Sequence, residues 1–475
     1  MASAMKDAGP LVGRARAGLL LIILCAVQFI DAFDVSSMGP ALPEIQRDLG
    51  MSPDRLQWVV TAYVLGYGGF LLLGGRLADL FDRKTLLLGS LGVFVVASVV
   101  GGLATSGDVL IAARLAKGIA AAFSAPAALA ILLNTYDEEG ERNRALGTFI
   151  AVSAVGFTSG LVLGGVLAAV SWQLVLFVPA ALALVLMALA VLVIPRQQGH
   201  SGDDRQPVDL FGALAVTAGL LALVYGVTRA AESGWGDGAT IGVLAVAVVL
   251  LAAFVQIQRV HRAPLVPLGI FTRPGVSRGN AAIFLLQGSY VAWQFLATLY
   301  LQNVQQWSPV EVGLIFAPGG LLVMLTASRW AGQVAKHGPW PIASAGMVLM
   351  VLGIASTLLL GDLNSVLVFG VGSTVIGVGY AMCFPAANIS AVAAARPDEQ
   401  GLASGLFIAS FQIGSGFVLA IVASVFGGAG EAGLGSYRAG LITAVVVAAL
   451  ALTVCLTGVR RRSQPPAPAV TVSQH

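Results

Sequence analysis

Charge is the scarcest property of this chain. Asp, Glu, Lys and Arg together make up 10% of its 475 residues, against roughly 25% in a soluble domain. The net charge of +3 is small and its basic residues are dispersed, which excludes a nucleic-acid-binding surface. Cysteine is nearly absent: Cys25, Cys383 and Cys455 lie far apart in apolar surroundings, with neither disulfide nor metal-ligand spacing, and read as small packing residues. The four histidines, His200, His261, His337 and His475, are isolated and fall in loops or at the terminus. Phosphate-binding loops, zinc spacings and nucleophile elbows are all missing, so no enzyme class is indicated and neither metal nor organic cofactor is expected.

What the chain has instead is hydrocarbon. Hydrophobic residues make up 57% of it, and the mean hydropathy is +0.88. A core of this size cannot hide so much apolar side chain from water, but a lipid bilayer accepts it. A helix needs about 20 apolar residues to cross the hydrocarbon. Fourteen stretches qualify: 17–38, 56–73, 85–103, 109–133, 145–170, 174–194, 210–228, 240–256, 279–301, 310–327, 342–360, 365–387, 402–425 and 439–457. The tenth is the weakest, interrupted by Pro318, Gly319 and Gly320. The first follows Lys6, Arg14 and Arg16 like a signal peptide, but it is too long and no cleavage site follows, so it reads as an uncleaved helix.

An even number of crossings puts both termini on one side. With that side inside, the inner segments hold 20 of the 26 lysines and arginines, and the outer loops hold Arg47, Arg55, Arg229 and Arg438. Basic residues mark the cytoplasmic side, so both termini are expected in the cytoplasm of a multi-pass cell-membrane protein. Six spans form a first block, residues 1–196. A linker with two further spans occupies 197–275 and contains the polar run QQGHSGDDRQP. A second six-span block and a tail fill 276–475. GGRLADLFDRK after the second span is echoed by ASRWAGQVAKHG after the tenth, as expected of a duplicated block.

Two carboxylates, Asp31 and Asp34, interrupt the first span. An acid inside a membrane span is costly and marks a functional site by default. Counting 1.5 Å per residue from Ala17, they sit about 21 and 25 Å into a roughly 30 Å core. Arg114 and Lys117 lie about 7 and 12 Å in from the other end of the fourth span. Acids and bases thus share a depth. Each pair is three residues apart and presents one helix face. A buried charge needs a partner, so the economical arrangement is a cluster across spans one and four, with Lys117 offsetting the additional acid Asp31. A carboxylate balanced between burial, which disfavours its charge, and a nearby cation, which favours it, can exchange a proton. Asp34 is the expected coupling acid, with Asp31 beside it; a static, fully paired cluster is the alternative. Gln28, Tyr63, Tyr67, Gln287, Tyr290, Trp293, Gln294, Asn388 and Gln412 are candidates for an amphipathic, aromatic-lined central cavity. Taken singly, each also reads as a packing or helix–helix bonding residue.

These residues fall in recognisable motifs. GGRLADLFDRK, 74–84, resembles the loop 2–3 signature of the major facilitator superfamily: Gly75, Leu77, Asp79, Arg83 and Lys84 match, while Leu80 replaces Arg and Asp82 replaces Gly. FDVSSMGPALP is similar to the first-span motif of the fourteen-span drug:proton antiporters, with Asp34, Ala41, Leu42 and Pro43 matching. RLAKGIAAA is similar to their fourth-span motif through Arg114 and Gly118, with Lys117 in place of Gln. GFTSGLVLGG is similar to their fifth-span antiporter motif through Gly156, Gly160, Gly164 and Gly165, with Leu161 in place of Pro.

The resemblance implies an all-α membrane protein of two six-helix bundles with two additional helices between them. It implies export of a lipophilic or amphipathic drug or antibiotic, driven by protons as the coupling ion, by a monomer. Gly75, Asp79, Arg83 and Lys84 would form a conformational latch between the halves. The glycines of the fifth span would permit close packing at the interface of the halves. A dedicated exporter or flippase of one endogenous metabolite or lipid remains the principal rival, ahead of an integral-membrane enzyme and a nutrient importer.

Overall fold

The computed structural model describes residues 10–136, 138–195, 209–261, 264–361, 364–396, 399–428 and 433–462. The polar run 197–207 with His200, the terminal His475 and the side chain of Asp79 lie outside the described residues. Among those described there is no β-strand. The long helices are α1 (Pro10–Leu49), α2 (Pro53–Leu80), α3 (Arg83–Gly102), α4 (Gly107–Leu133), α5 (Glu139–Val170), α6 (Leu174–Val193), α7 (Leu210–Ser233), α8 (Gly238–Val260), α9 (Pro274–Leu299), α10 (Pro309–His337), α11 (Pro339–Ser356), α12 (Ser365–Ala393), α13 (Gln400–Gly428) and α14 (Leu434–Arg462).

Twelve of these are long and apolar enough to cross a membrane by length and composition. The other two, α2 and α5, are 28 and 32 residues long and pack along α4 and α1 respectively. The chain is a multi-pass membrane protein.

Helix starts are set locally. Proline stands in the first turn of α2, α9, α10 and α11, where its missing N–H costs nothing. Asp82, Asp209 and Asp237 accept bonds from the first-turn amides of α3, α7 and α8. Ser308 and Glu311 form a reciprocal capping box on α10. Asp82 therefore has a capping role of its own at the position where the motif has glycine. Gly338 turns the chain between α10 and α11 at φ 85°, a conformation that favours glycine. Helix α10 runs unbroken through Pro318, so the expected interruption is absent. Gly319 and Gly377 let α10 and α12 touch backbone to backbone at that level.

The two six-helix blocks share one packing pattern. In the first, α1 lies on α4, α5 and α6, α2 on α4, and α3 on α4 and α6. In the second, α9 lies on α12, α13 and α14, α10 on α12, and α11 on α12 and α14. Two seams join the blocks, α2 against α13 and α5 against α10. Leu73 near the end of α2 clusters with Ala403 and Leu406 at the start of α13. This brings the beginning of α1 and the end of α14 to one side, termed here the terminal face. Helices α7 and α8 pack on each other, and α7 lies along the α2–α13 seam, where Val224 is buried with Leu65 and Ala420. At the terminal face Asp209 accepts from Gln258 Nε2 at 2.7 Å, and Gln258 Oε1 accepts from the Val266 amide at 2.9 Å.

Candidate functional site

Helix α1 does not end at Met38, as its apolar run implied, but continues through Pro40 and Pro43 to Leu49. Its membrane-compatible segment is Ala17–Leu49. Asp31 and Asp34 therefore stand near the middle of the segment, not in its outer third. Helix α4 runs antiparallel beside them and presents Arg114, Lys117 and Ser124 on one face, at helical spacing.

The four charged groups come together in the protein interior. Asp34 and Lys117 are 0% exposed, Arg114 1% and Asp31 4%. Asp34 accepts from both cations, Arg114 Nη1 on Oδ2 and Lys117 Nζ on Oδ1. Arg114 Nε also donates to the Val59 carbonyl of α2 at 2.8 Å. Its guanidinium lies 4.5 Å from the Tyr63 ring centroid, and Lys117 Nζ lies 4.4 Å from that of Phe94. Each cation is thus held by an anion on one side and an aromatic face on another, which is how a desolvated charge is kept in place. The expected division, with Lys117 serving Asp31, is not what the structure has: both bases converge on Asp34. Asp31 accepts instead from the Ser124 hydroxyl at 3.2 Å. Tyr63 and Tyr67 of α2, edge to face at 6.2 Å, complete the surroundings.

The second block contributes rings where the first contributes charge. Tyr290 lies 5.3 Å from Tyr380 and 6.0 Å from Trp293, whose ring meets Phe316 at 5.4 Å. Phe384 continues the series against Tyr380, Phe407 and Phe411. Phe157 of α5 reaches across to Tyr290 at 6.4 Å. The Tyr380 hydroxyl donates to Gln287 Oε1 at 2.8 Å. Of this group the sequence pointed to Gln287, Tyr290 and Trp293. It missed Tyr380, Phe384, Phe407, Phe411, Phe316 and Phe157, which no motif or period singles out and which only the packing of α5, α9, α10, α12 and α13 assembles.

The remaining cavity candidates scatter. Gln294 lines a small cavity of about 30 Å³ between α1, α2, α5, α9 and α13, with Ser36, Phe157 and Ser415 in its wall. Gln412 is buried at the α2–α13 seam against Gly68. Gln28 donates to Ser153 of α5 at 3.1 Å and serves a helix–helix contact. Asn388 is half-buried in α12, one turn beyond Phe384. On the face opposite the chain ends the two blocks are closed together. Gln302 Nε2 donates to the Pro40 carbonyl at 2.9 Å and Asn303 Nδ2 to Gln46 Oε1 at 3.3 Å.

The glycine stripe of α5 packs differently from expectation. A Cβ at Gly156 would lie 2.6 Å from the Phe29 carbonyl oxygen, and one at Gly164 the same distance from the Ser37 Cα. Gly160 likewise meets Phe33 and Ser36. These three glycines thus dock α5 on α1 within one block. Only Gly165 faces the other block, against the Pro309 carbonyl, and Gly313 of α10 returns the contact to the Leu161 carbonyl. In the 74–84 motif, Arg83 Nε donates to the Ala78 carbonyl at 3.1 Å and closes the end of α2. Lys84 Nζ donates to the Val191 carbonyl of α6 at 2.7 Å. Both bonds stay within the first block. Gly75 has open space around it, whereas its neighbour Gly74, which the motif reading passed over, abuts the Ala122 carbonyl of α4.

The chain as a whole is similar to known proteins. The cephamycin export protein CmcT of Amycolatopsis lactamdurans is 36% identical, the match covering 94% of this chain and 93% of that protein. The puromycin resistance protein pur8 of Streptomyces alboniger is also 36% identical, over 88% of this chain and 83% of that one. Among solved structures, a bacterial homologue of the human lysosomal transporter Spinster, in an inward-facing and unoccupied conformation, shares the fold. Its TM-score is 0.67 at 15% identity, covering 95% of this chain and 99% of that one. The family model of the Major Facilitator Superfamily matches residues 24–419. The chain belongs to the major facilitator superfamily of membrane transport proteins.

Proposed function

We propose that the protein exports lipophilic or amphipathic drugs or antibiotics from the cytoplasm, coupled to inward proton flow at the cluster of Asp34, Asp31, Arg114 and Lys117. The observation that carries this reading is the burial of four charged side chains in the middle of a membrane-spanning helix pair. Neither packing nor solubility calls for such a cluster there, whereas proton relays do. Relatives named for cephamycin export and puromycin resistance, similar over most of the chain, support drug export as the activity.

In this reading all fourteen helices cross, as in the fourteen-span drug:proton antiporters, and the terminal face is cytoplasmic, which the excess of basic residues on that side supports. Residues 1–196 and 276–475 rock as two units about a central site, and 197–275 carries the additional pair α7 and α8. The aromatic group of α9, α10, α12 and α13 receives the apolar part of the substrate. Gly75, Asp79, Arg83 and Lys84 bias the conformational equilibrium at the cytoplasmic end. The transporter works as a monomer and needs no organic cofactor.

The test is a resistance and efflux assay on cells expressing the protein, with a panel of antibiotics that includes a cephamycin and puromycin, with and without a protonophore. Proton-dependent efflux of several compounds supports the reading. Efflux of one compound alone favours a dedicated exporter, and efflux untouched by the protonophore refutes proton coupling.

A further inference from the structure

The two acids of the cluster are not equivalent. Both oxygens of Asp34 are engaged by cations, Arg114 on one and Lys117 on the other. Were Asp34 to take a proton, two buried cations would lose their shared anion, and Arg114 is tied to the Val59 carbonyl and the Tyr63 ring as well. Asp34 is built to stay an anion. Among the described residues no cation is bonded to Asp31, one turn earlier, and its hydrogen-bond partner is the Ser124 hydroxyl.

That hydroxyl has a second acceptor within reach. Ser124 Oγ lies 3.2 Å from Asp31 Oδ2 and 3.3 Å from the Ala121 carbonyl oxygen, and a hydroxyl has a single proton to give. With Asp31 ionised, the hydroxyl donates to Asp31. With Asp31 protonated, the carboxyl donates to Ser124 Oγ and the hydroxyl turns its own proton to the Ala121 carbonyl. Both protonation states leave every group bonded, and the exchange needs only a rotation about one Ser124 torsion. The surroundings allow both states electrostatically too. Around Asp31 stand Asp34 on its own helix, Lys117 and Ser124 on α4, and Tyr63 and Tyr67 on α2. Helix α5 has no ionisable side chain between residues 145 and 170, and α6 has none. From the second block α9 and α10 bring Tyr290 and, nearer their ends, Arg278, Glu311, Arg329, Lys336 and His337. Asp34 neutralises one of its two cations, so the cluster is neutral with Asp31 ionised and carries a single positive charge with Asp31 protonated.

We infer that Asp31 is the group that takes up and releases the transported proton, that Ser124 is its positioning residue, and that Asp34 is a fixed counter-ion holding Arg114 and Lys117. The inference rests on the proton-coupled reading above and reassigns the role within that cluster from Asp34 to Asp31. On loading, one proton from the outer side adds to an Asp31 oxygen and Ser124 turns toward Ala121. On release to the cytoplasm both steps reverse.

The test is infrared difference spectroscopy of the purified full chain in lipid, with no drug present, as the bathing pH is stepped. It reads the C=O stretch that a carboxyl shows only when protonated. The parent's pH-dependent band contains, beside the exposed carboxyls, a component that Asp31→Asn removes and that Ser124→Ala keeps at a shifted midpoint. Asp31→Glu, which keeps a titratable group, retains a band at a shifted midpoint and serves where the Asn variant fails to fold. A band that persists unchanged in Asp31→Asn, a midpoint unmoved by Ser124→Ala, or a parent with no pH-dependent band overturns the inference. The coupling reading fails by a separate measurement, puromycin and cephamycin efflux that a protonophore leaves unchanged.

Discussion

Replacing Arg114 by alanine removes three interactions at once: the ion pair with Asp34, the bond to the Val59 carbonyl at 2.8 Å, and the contact with the Tyr63 ring at 4.5 Å. Breaking a buried pair by deleting one partner costs about 3–5 kcal/mol, because the remaining charge is left uncompensated. The lost charge-assisted bond to Val59 falls at about 1.5–3 kcal/mol and overlaps with that figure. Lys117 still engages Asp34, which keeps the total near the pair value, about 3–5 kcal/mol. For a unit of 150–250 residues this lowers Tm by about 6–20 °C, at roughly 2–4 °C per kcal/mol. The decisive form is a cycle with Asp34→Asn, read by thermal unfolding in lipid nanodiscs. Once Asp34 is neutral, Arg114 has no anion to serve, so its removal costs about 1–3 kcal/mol less than in the parent. If the two effects add to within about 0.5 kcal/mol, or Arg114→Ala melts with the parent, the cluster does not hold these helices together and the electrostatic argument fails.

Four other substitutions test the packing, the latch reading and one ion pair. Gly164→Ala places a Cβ 2.6 Å from the Ser37 Cα and costs about 1–3 kcal/mol by overpacking. Gly75→Ala meets nothing within 4 Å and stabilises its helix by about 0.5–1 kcal/mol; melting curves that rank the two the other way contradict the docking of α5 on α1. If Asp79 belongs to a latch, Asp79→Ala lowers the maximal transport rate more than apparent substrate affinity, because a latch biases the conformational equilibrium and leaves binding contacts in place. A large affinity loss at unchanged rate removes the latch. At the terminal face burial raises the Glu399 carboxyl, but the Arg273 bond outweighs it and holds the group below its ordinary value. Its folded-state affinity for protons is thus weaker than the unfolded chain's. The stability it contributes is full above the ordinary carboxylate value of about 4.3 and is lost as pH falls through the lower folded value. Glu399→Gln therefore melts below the parent at neutral pH and converges with it in acid, once Glu399 is protonated in the folded state as well; a gap that persists there refutes the pairing.

The number and order of helices were legible because charge is so sparse that each loop stands out. Asp34 and Arg114 were legible as partners because a buried charge needs an opposite one, although the depth read from the sequence was wrong, since α1 continues to Leu49. Four features were not. Proline at positions 40, 43 and 318 reads as a stop, yet α1 and α10 continue through them, which membrane helices packed on neighbours tolerate. The preference of Lys117 for Asp34 over Asp31 depends on rotation about the helix axis, which spacing does not fix. The glycine stripe identified a close-packing face, but only tertiary structure chose α1 over the other block as its partner. The aromatic group drew on five helices and left no periodic trace in any of them.

The most direct test of proton-coupled export uses everted membrane vesicles containing the protein, made acid inside, with a cephamycin and puromycin as probes. Proton-coupled export predicts that a probe accumulates in the vesicles as protons leave, that a protonophore collapses the accumulation, and that Asp31→Asn abolishes it. Accumulation that ignores the size and sign of the imposed gradient, or a probe that leaves together with the protons, contradicts the account.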